Sequence, residues 1–177
     1  MSKILILNGS PRKNGNTYNL AEAFKKGAEK NNDVEIISVC DYNINPCKGC
    51  NYCFKSEGND CVQDDDMALI YDKMKEADFL IIASPVYFYG ISAQLKKVVD
   101  RFHTPMRNSF NTKKLGLILV GAAKIPELFD SIITQYELVL KFFKLDDIGR
   151  VLVSGVRETS DLSENDLTRA YELGAKL

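Results

Sequence analysis

The sequence predicts a three-layer α/β/α sandwich: one five-stranded parallel sheet with helices on both faces. Three observations carry this. Strand-like and helix-like stretches alternate along all 177 residues, with no linker, repeat or low-complexity segment between them. The strand-like runs are apolar at consecutive positions, as in Phe79-Leu80-Ile81-Ile82-Ala83, the composition of strands covered on both sides. Five strand–helix pairs fit one domain of ordinary size, here spanning residues 1–177.

The first strand, Lys3 to Leu7, is a continuous apolar run that ends at Asn8. Asn16 to Lys30 is a helix, because Leu20, Ala21, Phe24 and Ala28 recur at helical spacing. Val34 to Val39 is the second strand, followed by a polar, cysteine-bearing stretch from Asp41 to Asp65. Met67 to Glu76 is a helix with Met67, Ile70 and Met74 on one face, and Phe79 to Ala83 is the third strand. Ile91 to His103 is a helix, Leu115 to Val120 the fourth strand, and Pro126 to Phe143 a helix. Asp147 to Val153 is the fifth strand and Glu164 to Lys176 the last helix. Five strands in so short a chain favour the flavodoxin-like order 2-1-3-4-5 over the Rossmann-like one. Either topology binds ligands beyond the carboxyl ends of the strands. The informative segments are therefore the loops after strands one, three and four, and the cysteine stretch after strand two.

Composition excludes some partners. Lys and Arg number 23 against 24 Asp and Glu, and no basic stripe with interleaved aromatics is present. Net charge gives no basis for binding nucleic acid or an anionic membrane surface. The chain opens on a strand-like run rather than a signal peptide, and no apolar run approaches the roughly 20 residues of a membrane helix. A cytoplasmic location is expected. Five cysteines there are reduced, metal-bound or redox-active rather than a disulfide framework.

The loop after strand one is Gly9-Ser10-Pro11-Arg12-Lys13-Asn14-Gly15-Asn16-Thr17. Glycine lets the backbone approach a phosphate closely, and the helix behind it offers unpaired N–H groups and a partial positive charge. Ser10, Asn16 and Thr17 add side-chain donors, and Arg12 can pair with phosphate as a fork. Asn16 or Thr17 is also expected to cap the helix. The loop is neither a Walker A motif nor G-x-G-x-x-G.

Asn8-Gly9-Ser10-Pro11-Arg12 followed by Gly15-Asn16-Thr17 resembles the FMN phosphate loop of the NAD(P)H-dependent FMN reductase family. A second motif sits where that fold requires it. After strand three comes Ser84-Pro85-Val86-Tyr87-Phe88-Tyr89-Gly90, which resembles the family's flavin-contacting segment. The resemblance implies that Pro85 to Gly90 lie along the isoalloxazine edge; apart from it, at least one of the three aromatics is expected to anchor the next helix into the core. It also implies that Gly121 and the following Ala122-Ala123-Lys124 close over the flavin from the far side, although the family often has more glycine there. Asp100-Arg101 is expected to be a solvated pair at a helix end, and His103 a structural residue or at most part of the substrate opening.

Cys47, Cys50, Cys53 and Cys61 form C-x2-C-x2-C-x7-C, with Cys40 left over as an ordinary buried thiol. Short spacings of this kind aim several sulfurs inward and suit iron–sulfur clusters. Four sulfurs also suit tetrahedral zinc, though zinc sites usually pair two separated C-x2-C units. The arrangement, with Asp64-Asp65-Asp66-Met67 beyond it, resembles the iron–sulfur flavoprotein branch of the same family, which carries a 4Fe-4S cluster. The three aspartates themselves are expected to cap the next helix and complement its dipole. Relatives with similar loops and reduced, cluster-free thiols leave the cluster open.

The resemblance implies an FMN-dependent oxidoreductase passing electrons from NAD(P)H to a small acceptor such as a quinone, nitroaromatic or flavin. The flavin carries the chemistry, so no residue is assigned as catalytic. Two alternatives stand beside it. One is an electron-transfer protein with FMN and a 4Fe-4S cluster held by all four motif cysteines and reduced by ferredoxin. The other is a non-catalytic module that binds some other phosphorylated ligand. A homodimer or homotetramer is implied by the family.

Overall fold

In the computed structural model, which describes residues 1–177, β1 (Lys3–Asn8) is the inner strand from which the sheet is built. It is followed by helix α1 (Asn16–Ala28) and by β2 (Asp33–Ser38), which pairs with β1 in parallel. After the cysteine stretch come α2 (Met67–Glu76) and β3 (Phe79–Tyr87), parallel to β1 on its other side. A short return strand, β4 (Gly90–Ile91), pairs back on β3, and α3 (Ala93–Asp100) follows. Then come β5 (Lys114–Gly121), α4 (Asp130–Phe143), β6 (Asp146–Ser154) and α5 (Glu164–Ala175). The order β2-β1-β3-β5-β6 is the predicted flavodoxin-like 2-1-3-4-5 arrangement, with β4 as an unforeseen hairpin return.

The alternation of side chains along each strand splits the core in two. Leu5 and Leu7 of β1, Leu80 and Ile82 of β3, and Leu115, Leu117 and Leu119 of β5 face α2, α3 and α4. Ile4, Ile6, Ile81, Ala83, Ile118 and Val120 face α1 and α5. That double coverage is why the strands read as unbroken apolar runs.

Three boundaries differ from the sequence expectation. β3 runs on to Tyr87 because its pairing with β5 continues through Ser84↔Leu119 and Pro85↔Val120. Helix α3 starts at Ala93, where the Ser92 hydroxyl accepts from Leu95 N–H and caps it, and stops at Asp100. The stretch before α4 is a separate 3-10 turn, Pro126–Phe129.

At the end of the sheet where β5 and β6 begin, the Tyr136 hydroxyl from α4 lies 2.7 Å from Leu115 O and 2.6 Å from Asp147 Oδ1, which share its single O–H. Burial pushes the Asp147 carboxyl up, but hydrogen bonds from Tyr136, Gly149 N–H and Arg150 outweigh it and hold the group below its ordinary value. A carboxyl lowered in the folded state adds stability above its unfolded pKa, about 3.9, that is lost as pH falls through the folded value. Asp147→Asn should therefore flatten the fall in stability below about pH 4. Urea unfolding at a series of pH values checks this; an unchanged acid slope contradicts it.

Candidate functional site

The carboxyl ends of the strands open into a cleft of about 360 Å³ with four walls. Ser10, Arg12, Asn16 and Thr17 form the first, and Pro85, Val86 and Tyr87 the second. Val120 and Ala122 form the third; Val156, Arg157 and Glu158 the fourth.

The first wall is built by local polar turns. Asn8 Oδ1 accepts from Ser10 N–H at 3.2 Å, and Ser10 Oγ from Arg12 N–H at 3.2 Å. These are the short side-chain-to-backbone bonds by which Asn and Ser set turns. Asn14 takes a left-handed φ of 58°, which Asn tolerates better than most residues. It is exposed, and neither it nor Gly15 lines the cleft.

The cap differs from expectation. Gly15, not Asn16 or Thr17, stands at the N-cap of α1, and no side chain caps the helix. The first helical bond is Asn19 N–H to Gly15 O at 2.9 Å, so the N–H groups of Asn16, Thr17 and Tyr18 precede the intrahelical ladder. Asn16 Nδ2 donates to Glu158 O at 3.2 Å, while its Oδ1 is buried without a partner. An uncapped helix N-terminus beside an orphaned acceptor suits an anion carrying hydroxyl donors. Arg12 is employed differently from the forked pairing expected: its Nη1 donates to Arg157 O at 3.3 Å, strapping the two loops together.

Pro85, Val86 and Tyr87 belong to the end of β3 rather than to a loop. Phe88 and Tyr89 form the two-residue turn into β4, with φ of 48° and 63°. Two consecutive positive values suit hairpin turns but usually call for Asn or Gly. The turn carries Phe88 out to 98% exposure and leaves Tyr87 and Tyr89 about half exposed. None of the three anchors α3 in the core, and Phe88, Tyr89 and Gly90 are not cleft residues in this chain. The reason is the turn itself, which projects its central residues beyond the strand ends.

Buried serines connect the first two walls. Ser92 Oγ donates to Gly9 O at 2.6 Å, and Ser84 Oγ accepts from Ser92 N–H at 2.9 Å. Both serines are fully buried. Ser92→Ala removes the α3 cap and leaves Gly9 O without that donor. It should cost about 2 kcal/mol, read as a lowered urea midpoint.

The fourth-strand loop is only partly where it was expected. Gly121 is buried and turned toward Leu128, whose Cδ2 would lie 2.6 Å from an added Cβ, while its neighbours Val120 and Ala122 line the cleft. The wall after β6 was missed altogether. Asp161 accepts from the N–H groups of Arg157 and Glu158, both at 3.0 Å, and shapes that turn. The available signal was topological: parallel strands end on one side, so the loop after the fifth strand also borders the site.

The cysteine stretch is pinned at its base. Arg101 Nη1 reaches Asp65 Oδ1 and Oδ2 at 2.7 and 2.6 Å, and both side chains are buried. Arg101 is thus not part of a solvated pair with Asp100, which instead pairs with Lys96. Burial acts to raise the Asp65 carboxyl, but the Arg101 guanidinium and backbone N–H groups hold it below its ordinary value. Of the three aspartates, Asp65 does bond the first helical N–H, from Met67 at 3.2 Å, whereas Asp66 accepts from Asn43 N–H at 2.7 Å. His103 does not face the cleft; its ring lies 5.6 Å from that of Phe54 in the cysteine stretch. Cys40 is half-buried, and burial pushes its thiol up.

Four thiols within one short stretch are the donor set of a cluster in kind. Their arrangement does not fit one: Cys47 and Cys50 are exposed, and no three His, Cys, Asp or Glu side chains gather as a metal-holding group.

The family described as NADPH-dependent FMN reductase matches residues 2–128. An iron–sulfur flavoprotein of Methanocaldococcus jannaschii is 46% identical over 125 residues, 69% of this chain and 63% of that protein. The match thus spans somewhat less than two thirds of that relative's length. An iron–sulfur flavoprotein of Archaeoglobus fulgidus is 33% identical over 176 residues, 96% of this chain and 76% of the relative. An NAD(P)H:quinone oxidoreductase from Methanothermobacter marburgensis shares the fold, with a TM-score of 0.79 at 16% identity over 99% of this chain and 96% of that one. No helix of the chain is long and apolar enough to cross a membrane.

Proposed function

Because the chain belongs to the NADPH-dependent FMN reductase family, close to its iron–sulfur flavoprotein branch, we propose that it is an FMN-dependent oxidoreductase. It passes electrons from NAD(P)H to a small acceptor such as a quinone, nitroaromatic or flavin. The observation that carries this is the uncapped N-terminus of α1 at the floor of a cleft walled by the ends of β3 and β5.

FMN, when bound, supplies hydride and single-electron transfer at its isoalloxazine ring. The chain's own residues do the rest. The first-turn N–H groups of α1, with Ser10 and Thr17, hold the phosphate. Asn16 Oδ1, buried and unpartnered, accepts from a ribityl hydroxyl. Pro85, Val86 and Tyr87 form a stiff wall along the ring. Arg12 and Asn16, through Arg157 O and Glu158 O, keep the β6 loop closed over the phosphate end. Phe88 and Tyr89, projecting from this chain, contact the flavin or its substrate in a homodimer or homotetramer, which light scattering on the holoprotein tests.

Reconstitution decides the reading. The purified chain should bind FMN stoichiometrically and then oxidise NADH or NADPH with a quinone acceptor. A chain that binds no FMN, or that binds it yet oxidises neither nucleotide with any acceptor, sinks it.

A second reading is favoured by the cysteine spacing together with the two iron–sulfur flavoprotein relatives. Here the chain carries FMN and a 4Fe-4S cluster on Cys47, Cys50, Cys53 and Cys61, and takes electrons from ferredoxin. Iron and sulfide analysis after anaerobic purification tests it; absence of both after reconstitution counts against it.

A further inference from the structure

The loop after β6 is held more tightly than an exposed turn needs. All four backbone polar groups of Arg157 and Glu158 are engaged. Arg157 O accepts from Arg12 Nη1 at 3.3 Å, and Glu158 O from Asn16 Nδ2 at 3.2 Å. The two N–H groups converge on one oxygen, Asp161 Oδ2, each at 3.0 Å. Both residues are exposed, so water could satisfy every one of these groups. Protein partners at all four fix where the loop lies.

The base of the loop is pinned as well. Gly155 N–H donates to Ala123 O and Val156 N–H to Gly121 O, both at 3.1 Å, which ties it to the end of β5 and the residues beyond. Asp161 closes the tip from within. It ends the 3-10 turn Thr159–Asp161 and forms a capping box with Glu158. Successive N–H groups aimed at one carboxylate make a small anion nest, here filled by the chain's own aspartate. The N–H groups of Glu158 and Arg157, with the charge of Lys124, hold the Asp161 carboxyl below its ordinary value.

The two straps leave the first loop on either side of Gly15, the N-cap of α1. Arg157 and Glu158 thus border the cleft at the end where the free N–H groups of α1 meet an anion. A phosphate monoester terminates there. A diphosphate continues into a second nucleoside, which must pass where the loop lies and break its bonds.

We propose that Asp161 is a positioning residue for cofactor choice. By holding the N–H groups of Arg157 and Glu158 it keeps the phosphate end of the cleft shut, and so selects a flavin ending in a phosphate monoester over a flavin dinucleotide. This rests on the FMN reading above and adds to it what sets the choice. Asp161 does not line the cleft; it acts through the loop that Arg12 and Asn16 grip by its carbonyls. Without the carboxylate the tip hangs on those two straps alone, and opening it for the longer ligand becomes easier.

The test compares the binding of FMN and of flavin adenine dinucleotide to the full flavin-free chain by calorimetric titration, in wild type, Asp161→Ala and Asp161→Asn. Wild type should bind FMN at least about 100-fold more tightly, because the dinucleotide must break several bonds of the loop. Asp161→Ala should narrow that preference about tenfold, the usual worth of a hydrogen bond to a charged group. Asp161→Asn keeps an acceptor oxygen and should restore most of the preference. Amide hydrogen exchange of the flavin-free chain gives a second readout. Arg157 and Glu158 should exchange faster in Asp161→Ala, while the amides of β1 keep their wild-type rates. A preference left at its wild-type value, or a loss falling equally on both flavins, overturns the proposal. So does unchanged exchange at Arg157 and Glu158. A wild type that binds both flavins equally well overturns it too, yet leaves the FMN reading standing. A wild type that binds neither flavin sinks the FMN reading itself, and the selection with it.

Discussion

Gly174→Ala is expected to destabilise the chain by about 3 kcal/mol, at the upper end of overpacking costs. Helices α1 and α5 cross with their backbones in near contact. A Cβ on Gly174 would lie 2.1 Å from Phe24 O, and one on Gly27 would lie 2.1 Å from Tyr171 O. Backbone carbonyls cannot swing aside as side-chain ends can, so the helices must separate. Separation opens the face of the core lined by Leu20, Phe24 and Ala170. For a domain of this size each kcal/mol lowers the melting temperature by about 2–4 °C, so a fall near 10 °C is expected. The effect reaches the site as well, because α1 carries the uncapped N-terminus that borders the cleft at its other end. FMN affinity should drop along with stability, whereas a solvent-facing change such as Lys26→Ala should alter neither. A melting temperature within about 2 °C of wild type would mean that the crossing has more room than the geometry gives it.

Thr17→Val is expected to weaken FMN binding about 10- to 100-fold. The substitution keeps the shape of a residue that is buried in the first turn of α1 and borders the cleft. It removes a hydroxyl donor to a phosphate, and hydrogen bonds to charged groups contribute about 1.5–3 kcal/mol, with 1.4 kcal/mol per tenfold in affinity. Riboflavin, which lacks the phosphate, gives the control. Wild type should prefer FMN strongly, and the variant should lose much of that preference while binding riboflavin as before. Fluorescence titration of the flavin-free chain measures all four affinities. Equal losses for FMN and riboflavin would show that Thr17 supports the cleft without contacting phosphate.

Much of the scaffold was legible because it rests on local pattern. Ile4 to Leu7 are all buried, and a run apolar at every position marks a strand covered on both faces. The first loop was legible for the same reason: Asn8, Ser10 and Gly15 form the turn through bonds to residues two or three positions away. The expected capping of α1 by Asn16 or Thr17 was wrong because a polar residue near a helix start is a common cap, and only the geometry reveals that Asn16 instead reaches Glu158 O.

The expectation that one of Tyr87, Phe88 and Tyr89 anchors α3 in the core failed for a different reason. Hydrophobic composition suggests burial, yet the hairpin turn at Phe88 and Tyr89 sends these side chains outward. Arg101 was misjudged in the opposite sense. A charged residue at a helix end is usually solvated, and its partner Asp65 lies 36 residues away.

Strand order, the polar turn at the start of α1 and the close spacing of four cysteines follow from the amino-acid sequence alone. Each depends on spacing along the chain, which secondary structure converts directly into position. Long-range packing is what makes Arg12 and Asn16 grip the loop after β6, Arg101 pair with Asp65 at the base of the cysteine stretch, and Gly27 and Gly174 set the crossing of α1 and α5. Those pairings join residues far apart in the chain, Arg12 and Arg157 lying 145 positions from each other. They arise when the sheet brings distant strand ends together, so no window of the sequence contains both partners.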